Sequence, residues 1–221
     1  MSVLIEDRQG GLDQVGHARP ERRAGPAGSS AKRAFDAALA LALLCFFAPL
    51  LLAIAIAVRL DSPGPALFRQ RRTGLDGRLF QILKFRTMTV MEDGALTAVS
   101  RGDPRVTRIG AVLRRTSLDE LPQLLNVVLG DMSLVGPRPH AIAHDERFSQ
   151  EAPNYVLRFA ARPGVTGLAQ ISGFRGEIVS RECLDGRVDA DLRYIRGWSL
   201  LLDLRILLAT ARLDWADDKA Y

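Results

Sequence analysis

The 221-residue sequence predicts an α+β fold, mainly helical, with one short β-hairpin. Three observations carry this reading. A charge-free apolar segment runs from Ala37 to Val58. Two short extended stretches flank the turn Gly74-Leu75-Asp76-Gly77. Several stretches of helical patterning follow, punctuated by glycine and proline. A chain of this length with 48% hydrophobic content buries one sizeable core.

Residues Met1 to Ser30 are rich in Gly, Arg, Pro, Gln and Asp and have no apolar period, which predicts a disordered tail. A secretory signal would start its apolar run nearer the N-terminus. From Ala37 to Val58, at about 1.5 Å per residue, a straight helix could cross a bilayer core of about 30 Å. Pro49 lacks an N–H and its ring clashes with the preceding turn, so a kink is expected near Phe46 to Ala48. Lys32 and Arg33 precede the segment; Arg59, Arg69, Arg71 and Arg72 follow it. Positive residues favour the cytoplasmic side, so both flanks ask for the same side. A helix that enters, bends at Pro49 and returns satisfies both. A single span with a tolerated proline is the alternative. A buried soluble helix fits less well, because the segment has no polar face.

Asp61-Ser62-Pro63-Gly64-Pro65 ends this helix. Ala66 to Gln70 and Leu79 to Phe85 read as the two hairpin strands. Glu92 to Pro104 is polar and reads as a mobile loop. Val106 to Arg115 predicts a helix, and Glu120 to Leu129 a second one, stopped at Gly130. Further helix is expected within Ala141 to Ala161, then a loop from Arg162-Pro163-Gly164, then a short helix over Val188 to Arg196. Leu200 to Leu213 is strongly apolar, with Asp203, Arg205 and Arg212 interspersed and Trp198 and Trp215 flanking it. It reads either as an amphipathic helix at a water–lipid boundary or as a core helix. There are no internal repeats.

The formal net charge is +5 and the pI about 9.7, which suits an anionic partner. Lysine occurs only at positions 32, 84 and 219; the other basic residues are arginines, whose planar forks grip phosphate bidentately. Biased codon usage explains the same composition. A nucleic-acid partner is not expected: aromatics are only 6% of residues and an apolar anchor is present. Cys45 and Cys183 lie in unlike surroundings and are not expected to meet. No Cys/His spacing suits zinc, and a reducing compartment fits.

The chemistry concentrates in Arg114-Arg115-Thr116-Ser117-Leu118-Asp119-Glu120-Leu121-Pro122-Gln123. Asp119 and Glu120 are neighbours, so on a helix their side chains diverge by about 100° and can divide roles. Ser117 to Glu120 also has the spacing of a capping box, in which the acids merely complement a helix N-terminus. With Asp119 as the cap, Pro122 falls in the tolerated first turn. A helix N-terminus would also attract phosphate and keep a nearby carboxylate ionised. Arg138, pinned between Pro137 and Pro139, suits a phosphate clamp or a rigid surface corner. Lys84 and Arg86 flank Phe85 and would form a two-cation patch on one strand face, or a solvated face. Gly164, Gly167, Gly173 and Gly176 permit close backbone approach to a ligand, or simply make turns.

Together these features resemble a known family. The ordered motifs are Lys32-Arg33…Asp36, Pro49, Phe68-Arg69-Gln70, Lys84-Phe85-Arg86-Thr87-Met88, Leu118-Asp119-Glu120-Leu121, Gly130-Asp131-Met132-Ser133, Gly136-Pro137-Arg138-Pro139, Arg162-Pro163-Gly164-Val165-Thr166-Gly167 and Asp191…Tyr194-Ile195. From Lys32 to Leu213 the chain resembles the bacterial sugar transferases, the small monotopic phosphoglycosyl transferases that begin polysaccharide and glycan assembly. Beyond the disordered tail over 1–30 that composition predicts, the resemblance implies a re-entrant membrane helix over 31–60 kinked at Pro49, and a cytoplasmic catalytic domain over 61–221 with interfacial amphipathic helices. The family breaks its helix at a Ser-Pro pair; here the pair is Ala48-Pro49, with the serine absent.

The resemblance also implies transfer of a sugar 1-phosphate from a UDP-sugar donor to a polyprenyl phosphate acceptor, at the cytoplasmic face of the bacterial inner membrane. By resemblance, Asp119 is the nucleophile and a ligand of Mg²⁺, and Glu120 assists with the metal or a proton. Arg138 and Arg114 correspond to arginines that bind the phosphates or the nucleotide, with Lys84 and Arg86 as further contacts. Gly173-Phe174-Arg175-Gly176-Glu177 is similar to a segment of hexose-type members and adds Arg175 to the substrate site. Pro139-His140-Ala141…His144 is similar to the undecaprenyl-phosphate glucose phosphotransferases, so glucose 1-phosphate is favoured and galactose 1-phosphate is second. Those larger relatives carry additional N-terminal membrane helices, and this chain corresponds to their catalytic module. A catalytically inactive membrane scaffold for glycan-assembly enzymes is the competing reading. Homo-oligomerisation stays open.

Overall fold

The computed structural model describes residues 25–89, 103–176 and 178–213. The expected tail up to residue 24, most of the polar loop over 92–104, Glu177 and Trp215 lie outside the described residues.

Helix α1 (Ser30–Asp61) is 32 residues long, with Pro49 inside it. Ser29 starts it: its hydroxyl accepts a hydrogen bond from Lys32 N at 3.2 Å. The buried residues of α1 cluster toward its two ends, Lys32, Asp36 and Ala40 first, then Ile54 and Val58. Between them the surface is apolar and uncovered; Leu41, Phe46 and Leu52 are all exposed. By length and composition the helix can cross a membrane. The cations expected as a simple positive flank serve as fasteners. Lys32 Nζ lies 2.8 Å from Asp203 and 3.4 Å from Asp36, all buried. Arg33 donates to the carbonyls of Val127 and Val128.

Strands β1 (Leu67–Thr73) and β2 (Leu79–Phe85) form the expected antiparallel hairpin, with Leu67 opposite Phe85 and Thr73 opposite Leu79. Helix α2 (Arg108–Arg115) is capped by Thr107, whose hydroxyl accepts from Gly110 N at 3.0 Å. Helix α3 (Gln123–Leu129) stops at Gly130, where φ is 97°. The buried Asn126 docks α3 on the hairpin: it accepts from Leu83 N at 3.0 Å and donates to the Gln81 carbonyl at 2.7 Å. After β3 (Ser133–Val135) come α4 (Ile142–Glu151), a 3₁₀ segment at Tyr155–Ala160 and β4 (Gly164–Thr166). Helices α5 (Leu168–Ile171), α6 (Arg181–Arg196) and α7 (Leu200–Leu213) complete the described chain. One core joins Ala40 of α1 to Leu124 and Val127 of α3, Val135 of β3, Tyr194 of α6 and Ile206 of α7. A second packs Ile54 and Val58 against Phe85 and Leu113.

Several boundaries differ from expectation. The helix expected from Glu120 begins only at Gln123, and the one expected within 141–161 divides at Pro153 into α4 and a 3₁₀ segment. Helix α6 starts at Arg181, not Val188, and is capped by Ser180. Gly186 lowers helix propensity there, and packing overrides it. The parallel pairing of β3 with β4 was not expected; each strand is three residues long, too short to show a period. It brings two motifs together backbone to backbone. A Cβ on Gly136 would lie 2.3 Å from the Arg162 carbonyl oxygen, so only glycine fits.

Helix α7 packs one face in the core, as the core-helix reading expects, and leaves an apolar face exposed. Asp203 and Ile206 are fully buried on one face, while Leu201, Leu204 and Leu208 are exposed. Trp198 does not stand free at a boundary, because its indole N–H donates to Asp203 at 3.0 Å.

Candidate active site

Asp119 and Glu120 lie in a 3₁₀ turn, Leu118–Glu120, between α2 and α3. Ser117 precedes it in the left-handed region, φ 56°, and reverses the chain there. Neither acid caps a helix, contrary to the capping readings. Pro122 occupies the cap position of α3, and the Ser117 hydroxyl accepts a bond from Arg175 Nη2 at 2.9 Å. The side-chain partners of Glu120 come from distant strands and loops, and they outcompete the local box.

Lys84 Nζ of β2 lies 2.7 Å from Glu120 Oε1. Arg138 grips the same carboxylate with both amino groups, at 3.0 and 2.5 Å. Burial would raise the Glu120 pKa, but Arg138 and Lys84 outweigh it and hold this carboxyl far below its ordinary range. Asp119 is also buried and accepts no hydrogen bond among the described residues. Burial pushes its pKa up to about 6, against the pull of Lys84; the charge of Glu120 adds to the rise, and Arg138 and Arg114 oppose it. Burial thus opposes the ionised form that a helix N-terminus was expected to favour, and moves its titration up toward neutrality. Arg114 is aimed by Thr87, whose hydroxyl accepts from its Nε at 3.0 Å. Lys84, Arg114, Arg138 and Arg175 therefore gather around the acid turn, four cations about two carboxylates, which suits a diphosphate.

Arg86 is not brought to this cluster. It is buried and donates to the carbonyls of Val58, Ser62 and Pro63 at 3.2, 2.7 and 2.6 Å. Those groups lie at the C-terminal end of α1, where helical carbonyls lack partners. The two-cation patch expected of Lys84 and Arg86 is therefore divided: Lys84 faces the acids, and Arg86 terminates α1.

Sequence reasoning missed what holds Arg138. The buried Arg158 donates to the Arg138 carbonyl at 2.8 Å and pairs with the buried Asp191 at 2.7 Å. His140 Nδ1 lies 2.6 Å from Tyr155 Oη, which donates to Asp145 Oδ1 at 2.5 Å. Burial, with Arg158 and Arg187 beside it, lowers the His140 pKa well below its ordinary value, so the ring is neutral. The buried charge signs at Arg158 and Asp191 were the available signal, but nothing local pairs residues 33 positions apart.

No cluster of three or more metal-ligating His, Cys, Asp or Glu side chains exists among the described residues. Both Glu120 oxygens are committed to cations, whereas Asp119 keeps its lone pairs. Mg²⁺ is commonly held by one or two carboxylates plus substrate phosphates and water, and Asp119 fits that donor set.

The bacterial sugar transferase family matches residues 27–215. A UDP-glucose:undecaprenyl-phosphate glucose-1-phosphate transferase from Caulobacter vibrioides is 56% identical over 191 residues, covering 86% of this chain and 72% of that protein. The Escherichia coli protein of the same name is 50% identical over 86% of this chain and 41% of its own length. An exopolysaccharide production protein from Rhizobium leguminosarum is 46% identical, covering 81% of this chain and 92% of that protein. The chain thus spans less than half of the Escherichia coli relative and nearly all of the Rhizobium one. With the family match running from just before the start of α1 to beyond the end of α7, this chain belongs to the bacterial sugar transferases.

Proposed function

We propose that this protein is a membrane-bound phosphoglycosyl transferase. It moves a hexose 1-phosphate from a UDP-sugar to undecaprenyl phosphate, releases UMP and so initiates exopolysaccharide or glycan assembly. Glucose is the favoured sugar, as the names of two relatives suggest, with galactose second. The observation that carries the reading is the contrast at the acid turn: a buried Asp119 with its lone pairs unspent, beside a Glu120 clamped by Lys84 and Arg138.

Asp119 Oδ attacks the phosphorus that bears the sugar, and the bond from that phosphorus to the bridging oxygen breaks. UMP leaves with that oxygen, and an acyl phosphate to the sugar remains on Asp119. An oxygen of the polyprenyl phosphate then attacks the same phosphorus and expels the carboxylate. One displacement becomes two. Arg138, Arg114 and Arg175 bind and orient the phosphates, and Glu120 sets the positions of Lys84 and Arg138. Asp119, together with the donor diphosphate, would hold a Mg²⁺ ion, whose charge would offset that developing on the leaving UMP.

Membrane placement draws on α1 and α7. Both ends of α1 pack on one folded body, through Ala40 at one end and Ile54 and Val58 at the other. Ends on opposite sides of a bilayer could not do so, which supports a re-entrant helix at the cytoplasmic face of the inner membrane. The exposed leucines of α7 suit the same surface. A groove lined by Ala55, Pro65, Leu67 and Phe68, with Arg59 and Arg69 beside them, suits a lipid phosphate. Phe68 pairs across the hairpin with Lys84, so the groove leads toward the acid turn.

The test is UMP release by detergent-solubilised protein with Mg²⁺, undecaprenyl phosphate and a panel of UDP-sugars. Release that requires the lipid and disappears in Asp119→Asn is expected. Folded protein inactive with every donor would favour the scaffold reading.

A further inference from the structure

Helix α6 carries Arg187 and Asp191 four residues apart, both buried on one face. Asp191 holds Arg158, and Arg158 holds the Arg138 carbonyl. Arg187 reaches two ways. Its Nη1 lies 3.2 Å from His140 Nε2, two residues after Arg138. Its Nη2 donates to the Gly176 carbonyl at 2.8 Å, one residue after Arg175. A single guanidinium thus bridges two segments that each carry an arginine of the site.

The Arg175 segment is held at other points too. Gly173 and Gly176 bracket Phe174 and Arg175 with φ of 89° and 97°, a region that favours glycine. Phe174 N donates to the Ala169 carbonyl at 3.0 Å. The Phe174 ring lies on Gly186 of α6, where a Cβ would stand 2.4 Å from Phe174 Cζ. Gly186 is therefore a notch for the ring, next to Arg187. From this seat Arg175 reaches Ser117, two residues before Asp119.

We propose that Arg187 is a positioning residue that couples the Arg138 and Arg175 segments, with Gly186 seating the Arg175 segment beside it, so that α6 sets both arginines at the acid turn as one unit. Stability alone is a poor reason for Arg187. Burying a guanidinium costs free energy, and its Nε has no hydrogen-bond partner among the described residues. The two contacts it does make both end on segments that face the acids. The coupling is a statement about structure; its consequence for donor binding rests on the proposed function.

The experiment uses the full chain in detergent, with Arg187→Gln and Gly186→Ala. Hydrogen–deuterium exchange is expected to rise about tenfold in both segments with Arg187→Gln, and in the Arg175 segment alone with Gly186→Ala. Kinetically, each variant should raise the donor KM more than it lowers kcat, and in an Arg175→Ala background the KM effect should shrink from about tenfold to under about threefold. Exchange that rises throughout α6, or in one segment only with Arg187→Gln, overturns the coupling. So do KM effects that multiply undiminished in the Arg175→Ala background. Where Arg187→Gln does not fold, Arg187→Lys decides by the same two readouts. A wild-type protein that releases no UMP would overturn the proposed function, while the exchange measurement still decides the coupling.

Discussion

Asp119 and Glu120 are consecutive residues in opposite surroundings. Glu120, half-buried, gives both carboxylate oxygens to Lys84 and Arg138, whereas the buried Asp119 accepts no hydrogen bond among the described residues. A carboxylate whose lone pairs are taken up by cations is a poor nucleophile and a good anchor. One that is desolvated and unpaired is raised in energy and available to an electrophile.

That asymmetry sets a stability cost at Asp119. Its pKa rises from 3.8 to about 6, so the folded protein holds a proton that the unfolded chain releases between those values. Stability therefore falls as pH rises through that window, and the full cost stands above about pH 6. Asp119→Asn is expected to abolish UMP release and to stabilise the fold by about 3 kcal/mol at neutral pH. The gain should vanish below about pH 4. Urea unfolding at acid and neutral pH checks both signs.

The same pKa predicts a rate profile. The nucleophile must be ionised, so single-turnover UMP formation should rise about tenfold per pH unit below about pH 6 and level off above it. A profile flat from mildly acid to neutral pH would remove Asp119 as the titrating nucleophile.

Glu120→Gln should act in the opposite sense on stability. It leaves Lys84 and Arg138 without their shared anion, at a cost of about 2 kcal/mol, discounted because both cations are partly exposed. The Glu120 pKa is lowered from 4.5, so its contribution is present above that value and is lost as pH falls through the much lower folded one. The gap between wild type and variant should persist at mildly acid pH and close only in strong acid. Thermal melts across pH measure it.

Arg86→Ala separates a structural arginine from a substrate contact. Loss of its bonds to three carbonyls is expected to cost about 3 kcal/mol while leaving the donor KM of the folded fraction within about twofold. A large KM rise at unchanged melting temperature would return Arg86 to the site.

Much of the site was legible because its residues are charged and sit in short motifs. Lys84, Arg114, Arg138 and Arg175, the candidate contacts that the resemblance implied, lie around the acid turn. Arg86 shares a motif with Lys84 yet goes elsewhere. The chain leaves the hairpin after Phe85, and the end of α1 offers three carbonyls within reach. The capping box was a sound local inference, and it failed because Glu120 found stronger partners 36 and 18 residues away.

The sequence by itself determined the elements whose signal is local. Helix α1 follows from an uninterrupted apolar run, the hairpin from two short strands about a glycine-bounded turn, and the end of α3 from Gly130. The ordered motifs also carried the resemblance to the family that the comparison shows. Only the tertiary structure decided which carboxylate is paired and which is left open, that Lys32 lies buried against Asp203, and that α6 bridges two arginine-bearing segments. The physical reason is common to all three. Burial and pairing depend on groups brought together from distant parts of the chain, and the charge state of a buried group depends on those neighbours.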